Sequence, residues 1–501
     1  MFIPFKNNYN FDFYLLQSQI KKKLIFNSHF CTWSVLSFHK NNVYKKLVKL
    51  MPRSFNFHIK NNFSLAYPVA LGQIGHMMAS VADSVMIGNL GALPLASCAF
   101  ANTIFAIFLF VGIGISNGIT PAVGASHGKG YFNATKQFLA SGLHMNIISA
   151  VILIIILFGV NYLLPFMGQT GAVSSLASPY YLIIGSSLLP YLIFLAFKQF
   201  AEGLTFTKLA TIVIITSNII NIFLNWLLIY GNWGMPDLGL NGAGWATLIS
   251  RIIMLGLIVG IFYYSKSLKS YISLSSLLRY SKKSLKYMFS LGIPLGLQFF
   301  LEVCAFSAGA IIVGWHGEVS LAAHQIAINL AAITFMMAGG AGAAASISLS
   351  ILYGKKDFVN MQKSGRANIV MTLLFMSIGA SIFILFPEQL AGLYIKETDV
   401  IELSVKLLLI AAFFQLSDGF QVSVLGALRG MHDVRIPTII TIFGYVFLTI
   451  PLAYFLSVEL DLGAEGVWYA LLIGLSFAAI ALYFRFEILS RKMILENTRK
   501  T

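Results

Sequence analysis

An all-α membrane protein, with twelve spanning helices in two six-helix bundles, is the fold class predicted by three observations. The 501-residue chain is 57% hydrophobic and only 10% charged, whereas soluble domains carry about 25% charged residues. Its apolar residues gather into twelve runs of the length that crosses a bilayer, about 20 residues each. The second half also repeats the first. A shift of 226 residues lays Pro68 on Pro294, Leu71 on Leu297, Gly88 on Gly314, Gly91 on Gly317, Gly114 on Gly340, Gly128 on Gly354 and Lys129 on Lys355.

The runs are expected at residues 63–88, 93–124, 138–167, 173–201, 209–230 and 242–264, then at 288–314, 321–352, 369–386, 400–428, 436–456 and 463–486. Near the end of each half the repeat is again visible, with DLGLNGAGWATLI (237–249) echoed by DLGAEGVWYALLI (461–473). EGLTFTK (202–208) likewise aligns with RGMHDVR (429–435). The halves are read as 63–264 and 288–486, joined by a basic cytoplasmic linker at 265–287, with a cytoplasmic tail at 487–501. Six spans per half is an even number, so both halves enter the membrane in the same sense. Their pseudo-two-fold axis then runs along the membrane normal, as in transporters built from parallel repeats.

Residues 1–62 differ in kind. They form a basic extension rich in Phe, Asn and Lys whose longest apolar runs are too short to span. Two readings stand: a basic arm on the anionic leaflet, or a disordered segment foreign to the natural protein, with synthesis starting at Met51. The composition favours the second, because nothing in it could build a packed core.

The formal charge of +16 is explained by topology rather than by nucleic acid. Alternate loops hold Lys129 and Lys136; Lys198 and Lys208; Lys266, Lys269, Arg279, Lys282, Lys283 and Lys286; Lys355, Lys356, Lys363 and Arg366; Arg429 and Arg435. The opposite loops hold acids, among them Asp237, Glu318, Glu388, Glu397, Asp461 and Glu465, with Lys396 as the one cation. Basic loops stay in the cytoplasm, so both termini are expected there, in a cell inner (cytoplasmic) membrane. The three cysteines, Cys31, Cys98 and Cys304, are too far apart for a disulfide framework or metal-ligand spacing.

Three carboxylates lie within spans: Asp83, Glu302 and Asp418. A charged acid at the bilayer centre costs about 2.5–3.5 kcal/mol even on insertion scales, which makes it a functional candidate. Glu302 and Asp418 fall at mid-membrane depth in one half, with no obvious basic partner there, and are candidate ligands for a sodium ion. Asp83 sits nearer the outer end of its helix. Asn221 and Asn225, at i and i+4 on one face of the fifth span, and Thr247 on the sixth would complete a hard-oxygen set for a small cation. The bland alternative is interhelical hydrogen bonding. His76 occupies the slot that Glu302 takes in the other half and is expected to be a hydrogen-bonded helix residue. Gly112, Gly114, Gly118, Gly339, Gly340 and Gly342 are expected to permit close helix packing. No Walker A, HExxH or GxSxG motif is present, nor a long hydrophilic loop to house an enzyme site.

The run GQIGHMMASVADSVMIGNLGALPLAS, with GLQFFLEVCAF and FFQLSDGFQVSVLGALRGMHD, resembles the multidrug and toxic compound extrusion (MATE) family in its NorM-like branch. The resemblance covers the chain from about residue 63 to the last span. It implies two six-helix lobes in a V and export of amphipathic, mostly cationic drugs against inward sodium or proton flow. It implies no cofactor beyond the coupling ion and no nucleic acid, and the chain is expected to act as a monomer in the lipid bilayer. Glu302 matches the family's coupling glutamate, Asp418 its tenth-helix aspartate and Asp83 its first-helix aspartate. Asn221 and Thr247 match cation-site positions, and Asn225 stands where some members carry aspartate. The alternative is a lipid-linked saccharide flippase, which would line its cavity with Arg and Lys for a pyrophosphate. The central spans offer mainly acids, with Arg251 the clearest cation.

The charge pattern makes a prediction about topology. A fluorescent protein fused after Thr501 is expected to fluoresce, and an alkaline phosphatase fused there to be inactive. The opposite pair of results would place the basic loops outside.

Overall fold

A computed structural model describes residues 54–273 and 277–499. Among them, twelve long helices carry the chain back and forth. They are α1 (Phe55–Gly88), α2 (Ala92–Gly128), α3 (Phe132–Asn161), α4 (Gly171–Gly203), α5 (Thr207–Ile229) and α6 (Gly239–Tyr264). The second set is α7 (Lys282–Gly314), α8 (Glu318–Gly354), α9 (Phe358–Leu385), α10 (Thr398–Gly430), α11 (Arg435–Glu459) and α12 (Gly463–Thr498). Eleven are long and apolar enough to cross a bilayer by composition alone. The exception, α1, has 34 residues, which suffice in length. It carries Gln73, His76, Ser80, Asp83 and Ser84, and it packs between α5 and α8 with α9 alongside.

Helix starts follow local chemistry. Ser54, Thr170, Ser281 and Asp357 each accept a backbone N–H of the first turn of α1, α4, α7 and α9, satisfying a donor that the helix leaves free. Lipid-facing stripes show the 3.6-residue period: Ile148, Val151, Ile152 and Ile155 of α3 are exposed, as apolar residues bordering hydrocarbon should be.

Several boundaries move. The first helix begins at Phe55 rather than 63, because His58 and Asn62 are buried and bonded across to α9. The linker narrows, since α7 begins at Lys282, and α12 continues to Thr498 into the expected tail. On the acidic side Lys406 of α10 joins Lys396 and reaches Glu402 and Glu465. Residues 1–53, where most of the basic extension was read, lie outside the described residues.

The repeat reappears as paired geometry. Thr211 of α5 donates to the carbonyl of Pro68 (2.6 Å), and Thr438 of α11 donates to that of Pro294 (3.2 Å). One turn before each proline, Ser64 and Ser290 donate back to the carbonyls of Asn61 and Tyr287. Proline removes a backbone donor from its helix, and in both halves hydroxyl groups bond to carbonyls close to it.

The halves meet through a self-complementary contact, as a two-fold relation requires. A Cβ on Gly114 would meet Gly296 of α7, and one on Gly340 would meet Ala70 of α1; these two pairs are repeat equivalents. Gly128 lies against the Ile351 carbonyl, and Gly354 against that of Ala125. Gly124 touches its own counterpart, Ser350, so the pseudo-axis passes between α2 and α8 at that point. Gly118 abuts Gly292, while Gly339 and Gly342 abut Gln73 and Val422. The expectation of close packing holds for all of these, and Gly112 seats Leu192 within its own half.

These contacts crowd the end that carries Lys129 and Lys355. Toward the opposite end Met78, Val81, Val85 and Ile311 are exposed, and a Cβ on Gly91, Gly314 or Gly317 would meet nothing within 4 Å. The lobes therefore close at one end and part at the other.

Gly354→Ala should drive a methyl into the Ala125 carbonyl at this seam, costing about 1–3 kcal/mol. Gly159→Ala on α3, which meets nothing within 4 Å, is the control. The measurement is the thermal midpoint of detergent-purified protein, which is expected to fall for the first variant only.

Candidate functional site

Between the lobes lies a cavity of about 260 Å³ lined by α1, α2, α4, α5, α6, α7, α8 and α10. Its wall is largely apolar, with Phe110, Ile113, Phe194, Phe299, Phe335 and Met336 among its residues. That mixture suits an amphipathic guest: apolar walls supply affinity and a few polar groups fix orientation.

Glu302 reaches this cavity from the middle of α7. Its carboxylate accepts a long hydrogen bond (3.5 Å) from the hydroxyl of Tyr445, which in turn accepts the amide of Gln421 at 2.5 Å. Tyr445 sits in a π-helical stretch of α11, Phe443–Thr449, and such widened turns often reshape helices at functional sites. Here close packing of Gly444 on α12, and a bond from Thr449 back to the Gly444 carbonyl, hold the stretch. Tyr445 is fully buried as a result.

Asp418 lies behind this layer, 4% exposed, on the same helix as Gln421. It is within coulombic reach of both Glu302 and Tyr445. The two acids expected to share a site therefore do so, Glu302 at the cavity wall and Asp418 deeper in the bundle. Around them Gln298 and Gln415 are buried with both amide ends unpartnered, and Gln421 keeps a free carbonyl oxygen. A buried polar group without a partner costs about 1–3 kcal/mol, so these amides are available as donors and acceptors beside the two acids.

The expectation that no basic residue attends this pair is corrected. Arg429, at the end of α10, lines the cavity and lies within coulombic reach of Glu302. Its guanidinium stands over the ring of Phe299 (5.5 Å), one turn from Glu302 on α7. Sequence reading assigned Arg429 to a loop, because the span was ended at residue 428. The RGMHDVR alignment could have exposed it, since Glu202, its repeat equivalent, lines the same cavity.

The amino-terminal half is arranged differently. Asn225 donates to Asp83 at 2.5 Å and also approaches Asn221 (3.5 Å), which bonds Ser250 (3.4 Å). Asn221 and Asn225 do share one face, as their spacing predicts. Amide hydrogens, rather than a ring of oxygens, point at Asp83. Thr247 enters only through its backbone carbonyl, which accepts from Ser250. None of Asp83, Asn221, Asn225 or Thr247 lines the cavity. Nearby, buried Arg251 donates to Ser187 (2.7 Å) and stands over Tyr191 and Phe105, within coulombic reach of Asp83.

His76 also departs from expectation. Among the described residues it makes no hydrogen bond; it stacks on Tyr191 (6.3 Å, 17°) and faces the cavity opposite Glu302. The cavity floor is polar. Lys198 pairs with Glu202 at 2.8 Å, and Thr120, Gln199 and Asn117 form a bonded chain. No cluster of three or more His, Cys, Asp or Glu residues able to hold a metal occurs among the described residues.

Asn225→Leu should strand Asp83 without its donor, an expected loss of about 1–3 kcal/mol seen as a lower thermal midpoint. Thr247→Val, whose hydroxyl joins none of these bonds, should leave the midpoint close to that of the parent.

Comparison with known proteins agrees with this geometry. The sequence pattern of the MatE family matches residues 68–227 and 294–455, one stretch in each half. The chain is similar to a multidrug resistance protein NorM of Vibrio cholerae, 31% identical over 427 residues that cover 84% of this chain and 93% of that one. It is also 29% identical over 445 residues to a probable multidrug resistance protein NorM of Rhizobium meliloti, covering 88% and 95%. In fold it is similar to a multidrug resistance MATE family transporter of the MOP superfamily solved in its outward-facing conformation. The TM-score is 0.79 at 20% identity, covering 89% of this chain and 97% of that one. A eukaryotic MATE transporter gives 0.79 at 19% identity, covering 88% and 98%.

Proposed function

The chain belongs to the MatE family of multi-pass membrane transporters, and we propose that it is a multidrug antiporter. It exports amphipathic, mostly cationic compounds across the cell inner membrane in exchange for sodium ions or protons, acting as a monomer with both termini in the cytoplasm. The observation that carries this reading is the position of Glu302. A membrane-embedded carboxylate opens onto an apolar cavity between two lobes that are sealed at one end only.

The sealed end bears the basic loops, so by the positive-inside rule the cavity opens outward in this state. A drug cation and the coupling ion then compete for the acidic pocket formed by Glu302, Asp418, Tyr445 and Gln421. The free amide oxygens of Gln298, Gln415 and Gln421 supply neutral ligands, and oxygen donors with carboxylates suit sodium. A ligand drives the cycle only through different affinities for the two states. The seam at Gly114, Gly128, Gly340 and Gly354 is the element that must open and reclose for them to interchange.

The acidic pocket also argues against the flippase alternative. The cavity lining does hold Lys198 and Arg429, but Lys198 is occupied by Glu202, which leaves one guanidinium, itself beside Glu302, where a pyrophosphate would call for several.

Ethidium efflux from proteoliposomes, with a sodium or a proton gradient imposed in turn, tests the reading. Wild-type protein should respond to one gradient or both. Glu302→Gln and Asp418→Asn should each cut efflux at least about tenfold while the protein still inserts; an order of magnitude corresponds to about 1.4 kcal/mol of lost coupling. Full efflux in both variants would remove these acids from the mechanism.

A further inference from the structure

The interior charges of the two halves do not add to the same value. In the amino-terminal half, Glu202 is paired with Lys198 and Asp83 faces Arg251, so the sum is zero. In the carboxy-terminal half the interior charges are Glu302, Asp418 and Arg429. The other acids and bases of that half lie outside the cavity lining. Several are consumed there in pairs: Arg366 with Glu487, Arg485 with Asp433, and Lys406 with Glu402 and Glu465. Arg429 makes no ion pair within 4 Å among the described residues, and its Nε has no hydrogen-bond partner. Its guanidinium stands over the Phe299 ring and borders the cavity. It balances one of two acids. With both acids ionised and His76, which also lines the cavity, neutral, the remaining sum is −1.

From this placement we infer that Arg429 sets the charge capacity of the cavity, so that the acidic pocket is completed by one positive charge at a time: a sodium ion, a proton or a singly charged amphiphile. This rests on the antiport reading above and adds to it a stoichiometry and a substrate class, the monocation. An unbalanced charge in a low-dielectric site is strongly disfavoured, so the pocket with both acids ionised recruits one counter-charge and repels a second. The repeat sharpens the point. Arg429 occupies the place that Glu202 holds in the other half, and Glu302 occupies the place of His76, so acid and base are exchanged across the pseudo-axis at both positions. The acid at Glu302 therefore acquires a base of its own half, and the half that binds the ion is left one charge short of neutrality.

The test uses purified full-length protein and two dyes with the same aromatic ring system, ethidium with one positive charge and propidium with two. On the wild type, titration with sodium, or with protons in sodium-free buffer, should release ethidium with a slope of one. A slope of two overturns the count, and this measurement needs no variant. Arg429→Gln should raise the propidium-to-ethidium affinity ratio about tenfold, since a unit charge is removed a few ångströms from the guest. Arg429→Lys should keep the wild-type ratio. Asp418→Asn combined with Arg429→Gln restores a sum of −1 and should return the ratio to that of the wild type, which a merely structural role for Arg429 would not produce. An unchanged ratio in Arg429→Gln, or a double variant that behaves like it, sinks the inference while leaving antiport intact. A wild type that releases ethidium to neither ion sinks the antiport reading itself.

Discussion

Keeping ionised carboxylates inside hydrocarbon is the constraint on which the rest of this structure depends. Each such charge must be offset locally, because neither lipid nor apolar side chains can solvate it. The two halves answer the same demand in different ways. Asp83 receives the amide of Asn225 and the field of Arg251, and so is satisfied from within. Glu302 and Asp418 share a single guanidinium and a pocket of unpartnered amides. A site that its own side chains leave incomplete is one that a mobile ligand can complete. That is the physical basis on which the proposed ion and drug exchange is placed in the carboxy-terminal half.

The seam between the lobes connects this pocket to the transport cycle. Its contacts are made at glycines, against backbone at Gly114, Gly118, Gly128 and Gly354 and against small side chains at Gly124 and Gly340, and they recur on both sides of the pseudo-axis. Close approach of this kind is a recognised basis of helix association where lipid removes the hydrophobic drive. Such a surface has few intermediate arrangements, since separating two backbones by a fraction of an ångström forfeits much of the attraction. The seam can hold or part, which is the behaviour required of an element that separates two states. Buried bonds from His58 to Asn360 and from Asn62 to Ser364 fasten the same end.

Much of the architecture was legible in the chain because its causes are local or periodic. Apolar runs marked the spans, and the glycine pairs announced close packing before any neighbour was known. The faces of Asn221 and Asn225 followed from helical periodicity alone. Positions that depended on a partner from another helix were less legible. His76 was expected to be a hydrogen-bonded helix residue and instead stacks on Tyr191 of α4. The first eight residues of α1 read as extension, because the burial of His58 and Asn62 is provided by α9, three hundred residues away in sequence.

By itself, then, the sequence determined the class of the protein, its two-fold repetition and the three acids that lie within spans, since hydropathy, periodicity and the rarity of intramembrane charge are properties of single segments. Only the tertiary structure decided how those acids are shared out. Helix packing carried Arg429 from an apparent loop to the cavity wall, turned Tyr445 inward through a π-helical stretch, and kept Asp83 away from the cavity. The physical reason is that an electrostatic field depends on distances between groups, and those distances are fixed by which helices touch.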